Sequence, residues 1–225
     1  MVSDSSNYRS SKLQASPVKT LVTGGSGFFG LSLVNELLEQ GYECLVYDRF
    51  RAPTLPSKAN FLKGDIRDSD RLEKCIRAVD IVFHLAAVVP LNATSESLRS
   101  INIDGTENVL KLAHRYNVKK VVFCSSSAVL GIPSSNPVSE NDDPAPFEPY
   151  GQSKLQAERK CWNYSEKGLD VTVIRPRTIL GPKRRGIISL LFEWIKRNRS
   201  IPIPGGGNFQ YQLIDSTDLA RAFIL

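Results

Sequence analysis

The sequence predicts an α/β protein in which a doubly wound parallel sheet is covered by helices on both faces. Short apolar runs alternate along the chain with amphipathic segments of helical length, which is the rhythm of strand–helix–strand units. The run at residues 81–85, IVFHL, is apolar almost throughout, as expected for a strand buried on both faces. In such sheets ligands bind at the carboxyl ends of the strands. The residues at the predicted strand ends are Asp48, Asp65, Ala86, Ser126 and Pro176.

The first strand–turn–helix unit carries the most informative motif. A glycine-rich turn at residues 23–30, TGGSGFFG, opens a helix that is expected to end near residue 40. The turn places backbone N–H groups and the positive end of a helix dipole at one point, and both favour a bound phosphate. Two glycine spacings fit and are typical of dinucleotide binding: Gly25-x-Gly27-x-x-Gly30 and Gly24-x-x-Gly27-x-x-Gly30.

The second predicted strand ends at Asp48, 18 residues after Gly30. A carboxylate at about this distance binds the ribose hydroxyls of a dinucleotide. It also repels a 2′-phosphate, which favours NAD over NADP. Arg49 and Arg51 could offset this preference for NAD, since either guanidinium could turn to bind the 2′-phosphate of NADP.

The remaining helices and strands are predicted from apolar runs and from the capping, glycine and proline residues that separate them. Asp68 or Ser69 is expected to cap a helix through residue 79, and a serine cluster at residues 125–127 follows a buried strand. The other predicted strands are 60–63, 81–85, 121–124, 171–174 and 211–214; the other predicted helices are 95–116, 150–167, 187–199 and one from 217, with loops at 49–59 and 131–149 and a turn at 205–207.

A second motif, Tyr150-x-x-x-Lys154, lies at the start of a predicted helix. Residues four apart share one helix face, so the phenol and the ammonium point the same way. A nearby cation lowers the pKa of a tyrosine and makes it a usable proton acceptor. The spacing is common, and a solvent-exposed helical pair is the alternative. Ser126 supports the catalytic reading, because its hydroxyl could donate a hydrogen bond to a substrate oxygen and to the tyrosine.

Composition narrows the class of protein. The chain has 225 residues, 41% hydrophobic, and four cysteines without metal-ligand or redox spacing, so no metal site is expected and buried thiols in the cytoplasm are the simplest interpretation. The net charge of +6 is concentrated at residues 183–185 and 196–199. It suits either a solvated face or an anionic small substrate such as a nucleotide diphosphate. No nucleic-acid recognition module and no membrane-spanning run accompany it.

Together these motifs resemble the extended short-chain dehydrogenase/reductase superfamily, specifically its NAD-dependent epimerase/dehydratase branch. The resemblance covers about residues 18–225, in the order of the family. The matching pieces are Thr23-Gly24-x-x-Gly27-x-x-Gly30, Asp48, Gly64-Asp65-Ile66, His84-Leu85-Ala86-Ala87, Asn102-x-x-Gly105-Thr106, Ser125-Ser126-x-x-Val129-x-Gly131, Tyr150-x-x-x-Lys154 and Arg175-Pro176.

The resemblance implies a Rossmann-type fold, NAD as cofactor and a hydroxyl of a nucleotide sugar as the reacting group. Tyr150 is implied as general base and acid, Ser126 as its partner, and Lys154 as the residue that binds the nicotinamide ribose and lowers the pKa of Tyr150. Asp48 is implied at the adenosine ribose. The full set of implied cofactor-binding residues is Gly24, Gly27, Phe28, Phe29, Gly30, Asp48, Arg49, Asp65, Ile66, Leu85, Ala86, Ala87, Tyr150, Lys154 and Pro176.

The resemblance also sets the expected domain organisation. Residues 1–16 are expected to form a disordered leader, and residues 17–225 an NAD-binding domain with the beginning of a small substrate lobe at about 177–210. Members of the family usually continue beyond this length, so the substrate lobe is expected to be truncated. Apolar surface would then be exposed around Phe192, Trp194 and Phe223, which is compatible with a homodimer.

Two other functions stay open on the sequence. A 3β-hydroxysteroid dehydrogenase-like oxidoreductase shares nearly the same motifs. A dinucleotide-binding regulator without catalysis often lacks the tyrosine or the lysine, whereas this chain has both.

Overall fold

The computed structural model describes residues 16–90, 93–133, 137–182, 184, 187–203, 206–208 and 210–225. Residues 1–15 of the expected leader, together with Lys183, Arg185 and Gly205, lie outside the described residues. None of the helices within the described ranges has the length and apolarity that crossing a bilayer requires.

The elements alternate as the sequence predicts. The strands are β1 Lys19–Thr23, β2 Glu43–Asp48, β3 Asn60–Lys63, β4 Ile81–His84, β5 Lys120–Cys124, β6 Val171–Ile174, β7 Thr178–Leu180 and β8 Leu213–Asp215. The helices are α1 Phe28–Glu39, α2 Ser69–Ile76, α3 Ser95–Ser97, α4 Thr106–Arg115, α5 Pro149–Ser165, α6 Ile187–Lys196 and α7 Ser216–Ile224; a π-helical segment, Leu98–Gly105, joins α3 to α4, and a 3₁₀ turn, Ser127–Leu130, follows β5.

Six strands form one parallel sheet in the order β3-β2-β1-β4-β5-β6. The order reverses between β1 and β4, so the chain leaves these neighbouring strands toward opposite faces. A crevice opens at such a switch point, outside the carboxyl ends of the strands. The parallel, doubly wound sheet confirms the predicted fold class.

Alternate residues of the central strands pack into two separate cores. Leu21 of β1 and Val82 of β4 lie in the core beneath α2, α4 and α5. Their neighbours Val22 and Phe83 lie in the core beneath α1 and α7. All four side chains are essentially inaccessible, which explains why successive residues at the centre of both strands are apolar.

Several sequence expectations differ from the structure. Strand β7 was not predicted; it pairs in parallel with β8, which spans 213–215 rather than 211–214. Phe223 was expected at the surface and is buried instead, because α7 packs on α1 with the ring of Phe223 4.9 Å from that of Phe29. Phe192 is exposed as expected, while Trp194 is half-buried.

Candidate active site

A cavity of about 810 Å³ opens at the carboxyl ends of the sheet strands. Every catalytic or cofactor-binding residue predicted from the sequence borders it. These residues come from separate segments of the chain and meet because the strand ends lie on one edge of the sheet. They are Gly24, Gly27, Phe28, Phe29, Gly30, Asp48, Arg49, Asp65, Ile66, Leu85, Ala86, Ala87, Ser126, Tyr150, Lys154 and Pro176.

The glycine turn needs glycine for two geometric reasons. Gly24 has a φ of +73°, and a Cβ there would lie 2.7 Å from the backbone nitrogen of Ala86. A Cβ on Gly30 would lie 2.3 Å from the carbonyl oxygen of Gly24. Gly25 instead packs inward on Val46 and does not border the cavity. Of the two spacings left open by the sequence, Gly24-x-x-Gly27-x-x-Gly30 therefore faces the cavity.

The start of α1 fits an anionic ligand. Its N-cap is Gly27, which has no side chain to bond the N–H groups of the first turn. Those groups belong to residues that border the cavity, including Phe28 and Phe29. Unsatisfied N–H groups together with the helix dipole form a binding site for phosphate. The absence of a Cβ on the glycines leaves room for a ligand to approach the backbone.

Asp48 is held against the glycine turn. Its Oδ2 accepts a hydrogen bond from the backbone N–H of Ser26 at 3.1 Å, and its Oδ1 accepts from that of Phe50 at 3.4 Å. The neighbouring guanidinium groups rest on aromatic rings, Arg49 at 5.9 Å from the ring of Phe50 and Arg51 at 5.5 Å from that of Phe61. The carboxylate therefore stays oriented at the strand end.

Asp65 and Tyr47 shape the far end of the cavity. Arg67 donates to both carboxylate oxygens of Asp65, at 3.0 and 2.8 Å, and these hydrogen bonds hold the pKa of Asp65 below its usual value. The buried Tyr47 hydroxyl donates to the carbonyl of Asp65 at 3.0 Å. A Cβ on Gly64 would overlap the ring of Tyr47, so this turn requires a glycine.

Helix α5 begins beside the 3₁₀ turn Ser127–Leu130, and Tyr150 lies in its first turn. The Glu148 carboxylate caps the helix by accepting from the N–H groups of Tyr150 and Gly151, at 3.2 and 2.7 Å. A Cβ on Gly151 would lie 2.5 Å from the carbonyl oxygen of Ala128. In this position Tyr150 lies beside Ser126, whose hydroxyl lowers the pKa of the phenol.

Burial has a larger effect on the pKa of Tyr150 than Ser126 has. Desolvation is the largest influence and raises the pKa of Tyr150 to about 12, while Ser126 and Arg184 lower it only in part. The effect of Lys154 on this pKa stays a prediction.

Lys154 presents a buried ammonium to the cavity. Only 2% of the residue is exposed, and its Nζ lies 4.4 Å from the centre of the Phe123 ring. Within the described residues the ammonium has no hydrogen bond or ion pair, and desolvation lowers its pKa. A buried donor of this kind suits hydroxyl groups of a ligand.

His84 is a structural residue. Thr106 Oγ1 donates to the carbonyl of Asn102 at 2.7 Å, so it accepts from Nε2 of His84 at 2.9 Å. Nδ1 then accepts from the hydroxyl of Thr23 at 2.7 Å. Complete burial lowers the pKa of His84 to about 3, so the ring stays neutral at physiological pH.

Asn102 links the cavity wall to α5. It lies in the π-helical segment, where its side chain bonds both the N–H and the carbonyl of Val88, at 2.8 and 3.1 Å. It also donates to Ser153 Oγ at 3.0 Å, and Ser153 donates to the carbonyl of Tyr150 at 2.7 Å. Sequence reasoning matched Asn102 to a motif and gave it no role.

Two further arginines border the cavity: Arg184, from the basic segment 183–185 for which the sequence allows an anionic substrate, and Arg177, to which sequence reasoning gave no role. The guanidinium of Arg184 lies 5.1 Å from the ring of Phe28, and that of Arg177 lies 5.6 Å from the ring of Tyr211. In the part of the chain that the structure describes, neither forms an ion pair. The basic composition around residue 184 was the available signal.

A protein-family comparison matches residues 20–225 to the NAD dependent epimerase/dehydratase family. Among curated proteins, y4nG of Sinorhizobium fredii is 44% identical over 213 residues, covering 92% of this chain and 53% of y4nG. A putative UDP-glucose 4-epimerase of Methanocaldococcus jannaschii is 33% identical, covering 91% of this chain and 72% of that protein. The chain thus spans about half the length of y4nG and less than three quarters of the second relative.

Proteins of known structure also match most of this chain. MoeE5, solved with UDP-glucuronic acid and NAD, superposes with a TM-score of 0.82 at 31% identity, covering 92% of this chain and 71% of MoeE5. The UDP-glucuronic acid 4-epimerase from Bacillus cereus, solved with NAD, also has a TM-score of 0.82, at 28% identity, covering 92% of this chain and 73% of that one.

Proposed function

Because the chain belongs to the NAD-dependent epimerase/dehydratase family, we propose that it is an NAD-dependent enzyme of the extended short-chain type that acts on a hydroxyl of a nucleotide sugar. The observation that carries this proposal is the convergence of Ser126, Tyr150 and Lys154 with the glycine turn on one cavity. A site for a dinucleotide without chemistry would not need a buried phenol beside a hydroxyl donor and a buried ammonium.

The residues present fit NAD. The open N–H groups at the start of α1 would bind its pyrophosphate, and Asp48 would accept hydrogen bonds from the adenosine ribose. The Asp65–Ile66 turn would contact adenine. Lys154 would donate to the nicotinamide ribose, which gives its otherwise unpaired ammonium hydrogen-bond acceptors. When bound, NAD supplies a hydride acceptor that can return the hydride.

The protein's own groups would handle the proton. Tyr150 would take the proton of the substrate hydroxyl and give it back after the hydride has been returned. Ser126 would hold the substrate oxygen within reach of the phenol.

The charge of the cavity supports a nucleotide diphosphate as the anionic part of the substrate. Arg177 and Arg184 border the cavity and have no carboxylate partner in the described residues. Two such guanidinium groups suit a diphosphate or a carboxylate. MoeE5 was solved with UDP-glucuronic acid and NAD, and a UDP-sugar is accordingly the substrate class we propose.

A steroid dehydrogenase function is the second enzymatic candidate. A 3-beta-hydroxysteroid dehydrogenase of Mycolicibacterium neoaurum is 29% identical over 222 residues. The cavity wall is apolar at Phe28 and Ala86, but a steroid would leave both arginines without an anionic partner. This favours the nucleotide sugar.

The test begins with calorimetric titration of NAD and then of NADP, followed by incubation with UDP-glucose, UDP-glucuronic acid or a 3β-hydroxysteroid. We expect micromolar NAD binding and a changed sugar, detected by chromatography, with a UDP-sugar only. Oxidation of the steroid with no change in either UDP-sugar would replace the proposed substrate class. Tight NAD binding without reaction of any hydroxyl substrate would favour a regulator.

A further inference from the structure

Glu158 is a buried carboxylate that the proposed chemistry does not use. It lies one helical turn after Lys154 on α5, and its side chain has no exposed surface. It does not border the cavity, so it cannot contact a substrate. Burying an ion is unfavourable unless charged and hydrogen-bonding partners compensate it.

The partners of Glu158 come from two other elements. Arg175, directly after β6, donates from Nε at 2.9 Å and from Nη2 at 2.7 Å, a bidentate ion pair. Ser125, directly after β5, donates from its hydroxyl to Oε1 of the same carboxylate. One side chain therefore joins the helix to the ends of two strands.

The segments that follow β5 and β6 carry Ser126 and Pro176 of the site. The N–H of Ser125 donates to the carbonyl of Ile174 at 2.8 Å, and the N–H of Ser127 donates to that of Pro176 at 3.0 Å. Ser126 lies between the two serines, so its position is set by the strand pair. The strand pair is joined to the helix that carries Tyr150 and Lys154 through the Glu158 carboxylate.

We infer that Glu158 is a positioning residue, which uses Arg175 and Ser125 to hold α5 at the distance from β5 that aligns Tyr150 and Lys154 with Ser126. This inference rests on the proposed function, because it assumes that Lys154 binds the ribose of NAD. Removing the carboxylate then weakens dinucleotide binding even where the fold is intact.

Glu158 also sets the electrostatic surroundings of Lys154. The titratable groups that face the ammonium are His84 of β4, Cys124 of β5, and Cys161 and Glu158 of α5. Burial keeps His84 neutral and raises the pKa of Cys124 to about 11 and that of Cys161 to about 12, so both thiols are uncharged. The Glu158 carboxylate is the remaining charge, and it raises the pKa of Lys154 against the effect of burial.

The decisive variant replaces the pair by the apolar pair Glu158→Met and Arg175→Met. Apolar replacement of a whole buried ion pair commonly preserves stability, so a purely structural role predicts normal binding. We expect the double variant to unfold at the wild-type urea concentration and yet to bind NADH about tenfold more weakly near pH 7. Fluorescence titration with NADH as the probe measures this.

Glu158→Gln separates geometry from charge, because the amide oxygen still accepts a hydrogen bond. We expect NADH affinity within about threefold of wild type near pH 7, and binding lost at a lower pH than in wild type as the pH rises toward the ordinary pKa of lysine near 10.4. Glu107→Gln is the matched control. It breaks a half-buried ion pair, 2.9 Å long, between Glu107 of α4 and Lys160 of α5, and neither residue borders the cavity. We expect it to match wild type at every pH.

The outcomes are distinguishable. A folded double variant with the wild-type dissociation constant and pH profile overturns the inference and leaves the proposed function intact. If the double variant does not fold, an unchanged pH profile of Glu158→Gln overturns it. If wild type and Glu107→Gln both fail to bind NADH, the proposed function and the inference fail together, since no ribose contact exists to be positioned.

Discussion

Substitution of Gly24 by alanine tests whether the glycine turn is built for close approach or only for flexibility. At φ +73° a side chain is strained, by about 1–2 kcal/mol. A Cβ at this position also lies 2.7 and 2.8 Å from the backbone of Ala86, which must move. Overpacking of this kind costs about 1–3 kcal/mol. We therefore expect Gly24→Ala to lower the free energy of unfolding by about 2–5 kcal/mol.

Gly41 offers a matched control. It has a φ of +85°, and a Cβ there meets no atom within 4 Å. Gly41→Ala therefore carries the conformational strain without the collision. We expect it to lower the free energy of unfolding by about 1–2 kcal/mol and to leave NAD affinity unchanged.

Urea unfolding gives the two free energies, and calorimetric titration with NAD gives the two affinities. Gly24→Ala should weaken NAD binding at least tenfold, because the displaced Ala86 backbone forms part of the cavity wall. If Gly24→Ala and Gly41→Ala lose the same stability and both bind NAD as wild type does, the close approach of the turn to Ala86 has no role.

Three further perturbations follow from the site. Asp48→Ala should weaken NAD binding and remove the preference for NAD over NADP; tighter NADP binding by wild type would contradict the role of the carboxylate. Tyr150→Phe should retain NAD binding and lower turnover by about a hundredfold or more, measured by product formation with a UDP-sugar; near-normal turnover would exclude Tyr150 as the base. His84 has a pKa of about 3 in the fold, below its unfolded value near 6.5. Between these values the unfolded state binds the extra proton, so stability falls by about 1.4 kcal/mol per pH unit as the pH drops. His84→Asn should flatten that slope in urea titrations at several pH values.

The fold and the residues around the cavity were predictable because their signals are local. An apolar run that ends in Asp48 or in Ser126 defines a strand and its carboxyl end, and parallel strands place those ends on one edge. The glycine spacing likewise depends on neighbours within eight residues. Strand β7 has only three residues and pairs with β8 across more than thirty positions, so no local pattern marks it.

Contacts between distant segments set what the sequence did not predict. Glu158 bonds Arg175, 17 residues away in the sequence, and Ser125, 33 residues away. A glutamate on a helix is normally predicted to be exposed to solvent. Phe223 is buried because α7 returns to pack on α1. Neither the ion pair nor this helix contact leaves a periodic signal.

The pKa of Tyr150 shows how burial changes the meaning of a motif. With only the protein's own groups present, the pKa of Tyr150 is about 12. At pH 7 this leaves only about one phenolate in a hundred thousand phenols. The motif suggests that Lys154 lowers this pKa, and Ser126 opposes the effect of burial. A further positive charge near the phenol would bring its pKa closer to neutrality. An oxidised nicotinamide carries such a charge, whereas the reduced ring is neutral. In the proposed function the phenol therefore takes a proton more readily when the oxidised cofactor is bound, and the burial that raises its pKa keeps it neutral otherwise.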